Sequence, residues 1–583
     1  GTATMTRLLV ALLGICGGCL AGCSRSHAAS LPPDQPSVLF VLLDDTGSGD
    51  FAFRERETSP PSPRGLHTPT FDLLAREGLR LGSYYVQEMC TPTRAALLTG
   101  RYPFRYGMTT YTICAVCPWG IPLEEHFLGE AMQHLGYDTF MTGKWHLGMF
   151  KPEYLPQHRG FDVATNVLSN AKADHFHHTL DDGYDWHSFD SATAAWTSLP
   201  EAFDVYAGNL VRDSTVRYLQ QVKEKRQGGT ERRAFFAYVA FTEAHSPFQA
   251  PDAYLGMYEH LSDNPDRQAV AAMISHNDAM VGDIIAALQV EGLRDETLVI
   301  VSSDNGAPGG AATDQPDSAN QRWDDWVVDR NFPLRGLKHE IWEGGTRSVA
   351  FLNSPLLPTS TQGRRHEELF HVTDWFPTLV GLAVHGMAAS LDRLQLLDLS
   401  STTLPEAAVA LDGVDQWPCL MQHAQACKRQ DVLYNLNVMC DRRPWVLKDP
   451  TSYESEVPAP KAGLRLGDMK LVVECYDVAS GTIKGRRMLF NLTADPTESR
   501  DLAGRAEFHE VVEAMETRIQ DFGREAAPPY LSEEPWQGWN ALDYKSYFCA
   551  RCPQGNTTAL PLSHGGVYPS WEPWCDTATN EPC

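Results

Sequence analysis

Two pairs of hard oxygen donors stand far apart in the chain, Asp44-Asp45 and Asp304-Asn305. Three carboxylates and an amide oxygen make an all-oxygen set suited to Ca²⁺, with Mg²⁺ as the alternative. Either pair alone reads equally well as a helix or turn cap. Both, however, directly follow short, nearly continuous apolar runs, Ser37–Leu43 and Leu298–Ser303, and His245 comes shortly after a third, Phe235–Phe241. Ligands of open α/β sheets bind beyond the carboxyl ends of the strands. Two equivalent placements therefore favour a metal site over two unrelated caps.

A third segment reads Cys90-Thr-Pro-Thr-Arg94 and continues through Leu98-Thr-Gly-Arg101. Without its context it is a buried cysteine ahead of a Pro-initiated helix. Lys144, His146, His245 and Lys338 are cations that, taken singly, read as loop or surface residues. Trp145, Trp342 and Trp375 read as packing residues.

Runs that are apolar on both faces belong in a parallel sheet covered by helices. Helical patterns span Glu125–His134, Ala207–Lys225 and Arg267–Val290, and Gly136, Gly228 and Gly292 stand where each should stop. The expected architecture is α/β, with a large, mainly parallel sheet flanked by helices. From about Leu391 to Pro418 the chain is irregular and Leu-rich. Beyond it Met469–Cys475 is strand-like, and Leu489-Phe-Asn-Leu leads into a turn. The reading is a large unit over 34–418 and a smaller, disulfide-tied α+β unit over 419–583.

A length of 583 residues suits two to four domains. A formal net charge of −26 excludes a nucleic-acid partner in this reading, since phosphate backbones need a basic face. It does not exclude a small anion held by cations focused in a cleft. Residues 1–30 read as a leader, with Arg7 ahead of the apolar stretch Leu8–Leu20 and small residues after it. Cleavage near Ala28 gives a soluble protein, whereas Leu20-Ala-Gly-Cys23 leaves open a lipidated cysteine. No later segment is apolar enough to span a bilayer. With the leader cysteines and Cys90 set aside, the remaining cysteines are even in number and read as disulfides of an oxidising compartment. Zinc at Cys114/Cys117 or Cys549/Cys552 is the rival reading. Asn491-Leu-Thr and Asn556-Thr-Thr are glycosylation sequons if the source is eukaryotic.

Cys90-x-Pro-x-Arg94 with Leu98-Thr-Gly-Arg101 in phase resembles the sulfatase family. The resemblance runs in family order through Leu42-Leu-Asp-Asp45, Gly143-Lys-Trp-His-Leu-Gly148, Ala244-His-Ser-Pro247, Ser303-Asp-Asn-Gly306, Pro333-Leu-Arg-Gly-Leu-Lys338, Trp342-Glu-Gly-Gly345 and Leu489-Phe-Asn-Leu-Thr-Ala-Asp-Pro496. Tyr84-Tyr-Val-Gln and His245-Ser-Pro-Phe-Gln-Ala-Pro251 point to its arylsulfatase B, I and J group. Thr93 departs from the family's usual Ser or Ala, and Ala307–Asp329 is longer and more acidic than its usual counterpart.

The resemblance implies an alkaline-phosphatase-like sulfatase fold and hydrolysis of sulfate monoesters, of sulfated sugars or of aryl alcohols. It implies that Asp44, Asp45, Asp304 and Asn305 hold calcium, with modified Cys90 as a further ligand. Cys90, oxidised to formylglycine by a formylglycine-generating enzyme, would be the nucleophile. Arg94 and Lys144 would hold the formylglycine, and His146 would be the base that expels sulfate. Lys144, His245 and Lys338 would bind the sulfate, and the last two would assist the departing alcohol. The chemistry wants these types. An anionic ester needs cations against the repulsion of attack, a metal lowers the pKa of the attacking hydroxyl, and the leaving oxygen needs a proton. The compartment implied is the secretory pathway, secreted or lysosomal in a eukaryote, and periplasmic or lipid-anchored in a bacterium. Two other readings stay open, a phosphonate or phosphate ester hydrolase and a pseudoenzyme that binds sulfated glycans.

Overall fold

The computed structural model describes residues 35–55, 65–108, 112–113, 119–169, 174–180, 183–191, 195–228, 233–308, 330–386, 410–421, 427–436, 462–477, 480–527, 559–561 and 567–569. The leader, most of the acidic stretch 307–329, part of the Leu-rich stretch, both CxxC pairs and the Asn556 sequon lie outside them.

Twelve strands precede the C-terminal region: β1 (Ser37–Leu43), β2 (Leu79–Tyr85), β3 (Asp138–Lys144), β4 (Val163–Val167), β5 (Thr179–Leu180), β6 (Gly183–Tyr184), β7 (His187–Asp190), β8 (Ala195–Ser198), β9 (Phe235–Ala240), β10 (Thr297–Ser303), β11 (Ala350–Asn353) and β12 (Arg365–His371). Ten of them form one sheet, in the order β12-β2-β11-β10-β1-β9-β3-β4-β7-β8. The central block β10-β1-β9-β3-β4 is parallel, as its apolar runs require. Antiparallel strands flank it on both sides.

The alternation of β1 divides the core. Val38, Phe40 and Leu42 enter one apolar layer, where Ala95–Leu98, Leu128, Met132 and Leu379 cover the sheet. Leu39, Val41 and Leu43 enter the other, under Phe71, Val211, Leu219 and Ile284. At about 1.5–3 kcal/mol per fully buried large side chain, these two layers hold the strands against the helices on both faces.

The helices Ala207–Gln227 and Pro265–Val290 fall where the sequence pattern places them. The third begins at Leu128 instead of Glu125, because the Glu130 carboxylate accepts from the Phe127 N–H at 2.9 Å and caps the helix there. Trp145, Trp342 and Trp375 are all buried.

A separate antiparallel sheet follows, made of β13 (Asp431–Leu436), β14 (Ala462–Leu466), β15 (Met469–Asp477) and β16 (Thr482–Asn491). The helix His509–Gly523 covers it through Met515, Ile519 and Phe522. Tyr85, Ile341 and Trp342 pack on Val432, Tyr434 and Phe490 and join it to the large sheet. A buried charge cluster crosses the same boundary, with Lys470 Nζ 3.1 Å from Glu343 and 2.8 Å from Glu498. Cys419 and Cys427 form a disulfide just ahead of this sheet. Among the described residues no helix is long and apolar enough to cross a membrane.

Candidate active site

β1, β3, β9 and β10 are parallel neighbours, so their carboxyl ends share one edge, and the loops that leave it carry the polar residues. Asp44 and Asp45 follow β1, Lys144 closes β3, His245 follows β9, and Asp304-Asn305 follow β10. β2 runs the same way and leads into the helix Cys90–Thr99, at whose first position Cys90 stands. Gly143 makes the close approach of β3 possible: its φ is +87°, and a Cβ there would lie 1.7 Å from the Ala240 carbonyl oxygen.

Distant residues meet through short contacts. Cys90 Sγ donates to Asp44 Oδ1 at 3.4 Å. Lys144 Nζ lies 2.5 Å from Asp44 Oδ2, Lys338 Nζ 2.9 Å from Asp45 Oδ2, and His245 Nε2 3.7 Å from the same oxygen. Arg94 bonds Asp304 and also donates to the Lys144 carbonyl at 3.0 Å. The Asp45 N–H donates to Asp304 Oδ1 at 3.2 Å, and Asn305 Nδ2 donates to Asp45 Oδ1 at 2.7 Å. His146 adjoins this network through its carbonyl, which accepts from the Thr91 hydroxyl at 3.0 Å. Nine of the ten candidate residues are thus joined through their side chains, and His146 adjoins them through its backbone. Lys338, which alone reads as a surface lysine, is 4% exposed.

Donor atoms of Asp44, Asp45, Cys90 and Asp304 all lie within 4.8 Å of one another. Asn305 Oδ1 is buried and has no hydrogen-bond partner among the described residues. An orphaned amide oxygen beside three carboxylates is what a hard divalent cation would satisfy, so the residues fit a Ca²⁺ or Mg²⁺ ion. Charge agrees with this. Burial and the neighbouring Asp44 push the Asp304 carboxyl up to about 6 despite Arg94. Burial also opposes ionisation of Asp45 but is outweighed by Lys338, His245 and Lys144, which hold it well below the usual carboxylate range.

Burial, Asp304 and Asp44 push the Cys90 thiol well above its ordinary value, so the unmodified sulfur is held as a thiol and not a thiolate. His146 is shifted the opposite way by burial, Lys144 and Arg94 and stays neutral. Its Nε2–H donates to the Ile113 carbonyl at 2.8 Å, which leaves the lone pair on Nδ1, a buried atom without a partner among the described residues. Thr93 uses the β-hydroxyl it shares with serine. Its Oγ donates to the Gln87 carbonyl at 3.1 Å and accepts from the Gln87 N–H at 2.9 Å, closing the loop ahead of Cys90.

Sequence reasoning missed two supports. Asp45 has φ +50°, a conformation that costs about 1–2 kcal/mol in a non-glycine residue. Arg330 holds it there: Nη2 donates to the Asp45 carbonyl at 2.6 Å, and Nε donates to Asp50 at 2.9 Å. Glu88 is the other, a buried carboxylate bonded by Asn435 from β13. Neither has a spacing signal, since Arg330 simply ends an acidic stretch.

Comparison with known proteins places the chain among related sequences. The Sulfatase family model matches residues 36–386. Arylsulfatase J of Mus musculus is 30% identical, over 94% of this chain and 82% of its own length. N-acetylgalactosamine-6-sulfatase of Homo sapiens is 29% identical, over 68% of this chain and 67% of its own. The crystal structure of Ps i-CgsB in complex with k-i-k-neocarrahexaose superposes with a TM-score of 0.61 at 21% identity, covering 88% of this chain and 97% of that one, and so shares the fold.

Proposed function

Because this chain belongs to the sulfatase family and is a sulfatase, we propose that its substrates are sulfate monoesters of sugars, with sulfated N-acetylhexosamines as the favoured class. The relative named N-acetylgalactosamine-6-sulfatase supports that class. The observation that carries the reading is the meeting of Cys90, three carboxylates and the cations Arg94, Lys144, His245 and Lys338 at one strand edge.

A divalent ion held by Asp44, Asp45, Asp304 and Asn305, Ca²⁺ ahead of Mg²⁺, would polarise a sulfuryl oxygen and acidify the attacking hydroxyl. Oxidation of Cys90 to formylglycine by a formylglycine-generating enzyme would supply that hydroxyl as an aldehyde hydrate, in place of the thiol. Lys144 and Lys338 neutralise the sulfate as the nucleophile approaches. His245 Nδ1 donates to the Ser246 carbonyl at 2.7 Å, so the second nitrogen, Nε2, is the one that would pass a proton to the leaving alcohol oxygen, from the imidazolium form that carries a proton on both nitrogens. His146, neutral and with its lone pair on Nδ1, would serve as the base for the residue-90 hydroxyl once Cys90 is modified. Arg94 keeps Asp304 ionised and in place. The Cys419–Cys427 disulfide supports passage through an oxidising secretory compartment.

Hydrolysis of 4-nitrophenyl sulfate, N-acetylgalactosamine 4- and 6-sulfates and bis(4-nitrophenyl) phosphate by the modified, Ca²⁺-supplied protein tests the proposal. Sulfate esters are expected to be turned over and the phosphodiester to be poor. A preference for the phosphodiester would replace the reading with that of a phosphate ester hydrolase.

A further inference from the structure

We propose that His175 is a positioning residue for His245: its ring holds the backbone that aims His245 Nε2 at the leaving alcohol oxygen. This deepens the sulfate-ester reading and rests on the role given there to His245.

His175 lies between β4 and β5 and is 1% exposed. Its Nε2 donates to the His245 carbonyl at 3.0 Å, across 70 residues. That carbonyl belongs to the peptide plane joining His245 to Ser246, and the Ser246 carbonyl accepts from His245 Nδ1 at 2.7 Å. Holding the first plane therefore restricts where the imidazole stands, and its Nε2 points into the site, 3.7 Å from Asp45 Oδ2.

His175 is itself fixed on both sides. Its N–H donates to Gln249 Oε1 at 2.9 Å, and its carbonyl accepts from the Ala207 N–H at 2.8 Å, where the helix Ala207–Gln227 begins. Gln249 Nε2 reaches back to Asp174 Oδ2 at 3.0 Å, which clamps the segment that carries His245 to the stretch that carries His175. The Thr242 hydroxyl lies 3.3 Å from His175 Nδ1 and 3.3 Å from Glu243 Oε2, so the ring is bonded at both nitrogens.

A buried carbonyl that loses its donor must find another partner, and it does so by turning its peptide plane. Such a turn carries Nε2 away from the reacting oxygen, and proton transfer works only within hydrogen-bond reach. The loss depends on the leaving group, because 4-nitrophenoxide departs without a proton more readily than phenoxide does. A histidine that merely fills the core has no such dependence.

The test compares kcat/KM for phenyl sulfate and 4-nitrophenyl sulfate in the modified, Ca²⁺-supplied wild type, His175→Phe, His175→Ala and His175→Gln, with His245→Ala as the reference. Phenylalanine keeps a ring against Tyr206 but has no donor, whereas glutamine brings an amide N–H close to the place of Nε2. The phenyl-to-nitrophenyl ratio is expected to fall about tenfold in His175→Phe and His175→Ala and to recover to within about twofold of the wild type in His175→Gln. Because both esters are read on the same preparation, a partial loss of folded protein cancels in the ratio. An unchanged ratio in the variants without a donor, or a glutamine variant as impaired as they are, would overturn the role of His175. A His245→Ala variant whose losses are equal on the two esters would instead remove the role of His245 beneath it.

Discussion

Arg94 donates to Asp304 Oδ2 through both Nη2, at 2.9 Å, and Nε, at 3.2 Å, and neither side chain is exposed. This fork ties the helix that starts with Cys90 to the end of β10, two segments 210 residues apart. A buried pair of this kind is costly to break, because the remaining charge has no solvent to turn to. Arg94→Ala is expected to lose about 3–5 kcal/mol of stability, with Arg94→Lys between it and the wild type for want of the fork. Chemical denaturation curves measure it, and an Arg94→Ala midpoint equal to that of the wild type would contradict it.

Arg330 acts one step further from the reaction. Its guanidinium spans the Asp45 carbonyl and Asp50, so its loss frees Asp45 to leave the left-handed region. Arg330→Ala is expected to weaken Ca²⁺ binding about tenfold, measured by calorimetric titration, while circular dichroism stays that of the folded protein.

The donor set also makes a thermal prediction. Saturating Ca²⁺, at about one hundred times its Kd, is expected to add about 2.7 kcal/mol to the stability of the wild type. The gain should shrink in Asn305→Ala, which lacks the orphaned oxygen. Melting scans with and without a chelator check it.

Stability should respond to pH through His178, a buried histidine outside the candidate catalytic set. Burial, helped by His175 and opposed by the Val205 and Ala202 carbonyls that accept from its ring, lowers His178 to about 4. An unfolded histidine titrates near about 6.5. Below that pH the unfolded chain takes up a proton that the folded chain refuses until about 4, so stability present above about 6.5 is lost as pH falls through this window. Asp278 and Asp415, both pushed up to about 6 by burial, run the other way. The measurement is therefore the difference between wild type and His178→Asn. It is expected to shift by about 2 kcal/mol against the wild type between pH 7.5 and 4.5, and a constant difference would refute it.

What the sequence made legible follows the physics of each feature. β1 and the helix Pro265–Val290 were readable because burial on both faces, or a long apolar periodicity, is written locally. Asp44, Asp45, Asp304 and Asn305 were readable because each pair directly follows such a strand. The start of the helix at Leu128 was not, since it depends on which acidic residue closes the capping bond. Arg330 and Glu88 were invisible for a different reason. Glu88 meets Asn435 across 347 residues, and no local pattern marks a contact made only when two sheets pack.

The most direct measurement concerns residue 90 itself. Purified protein, co-produced with a formylglycine-generating enzyme, is analysed by peptide mass spectrometry and assayed on an aryl sulfate with Ca²⁺ present. Turnover is expected to rise in proportion to the fraction of chains carrying aldehyde at residue 90, and to vanish in Cys90→Ala. Full sulfatase activity from chains whose Cys90 remains a thiol, or none from fully oxidised, Ca²⁺-supplied chains, would contradict the assignment.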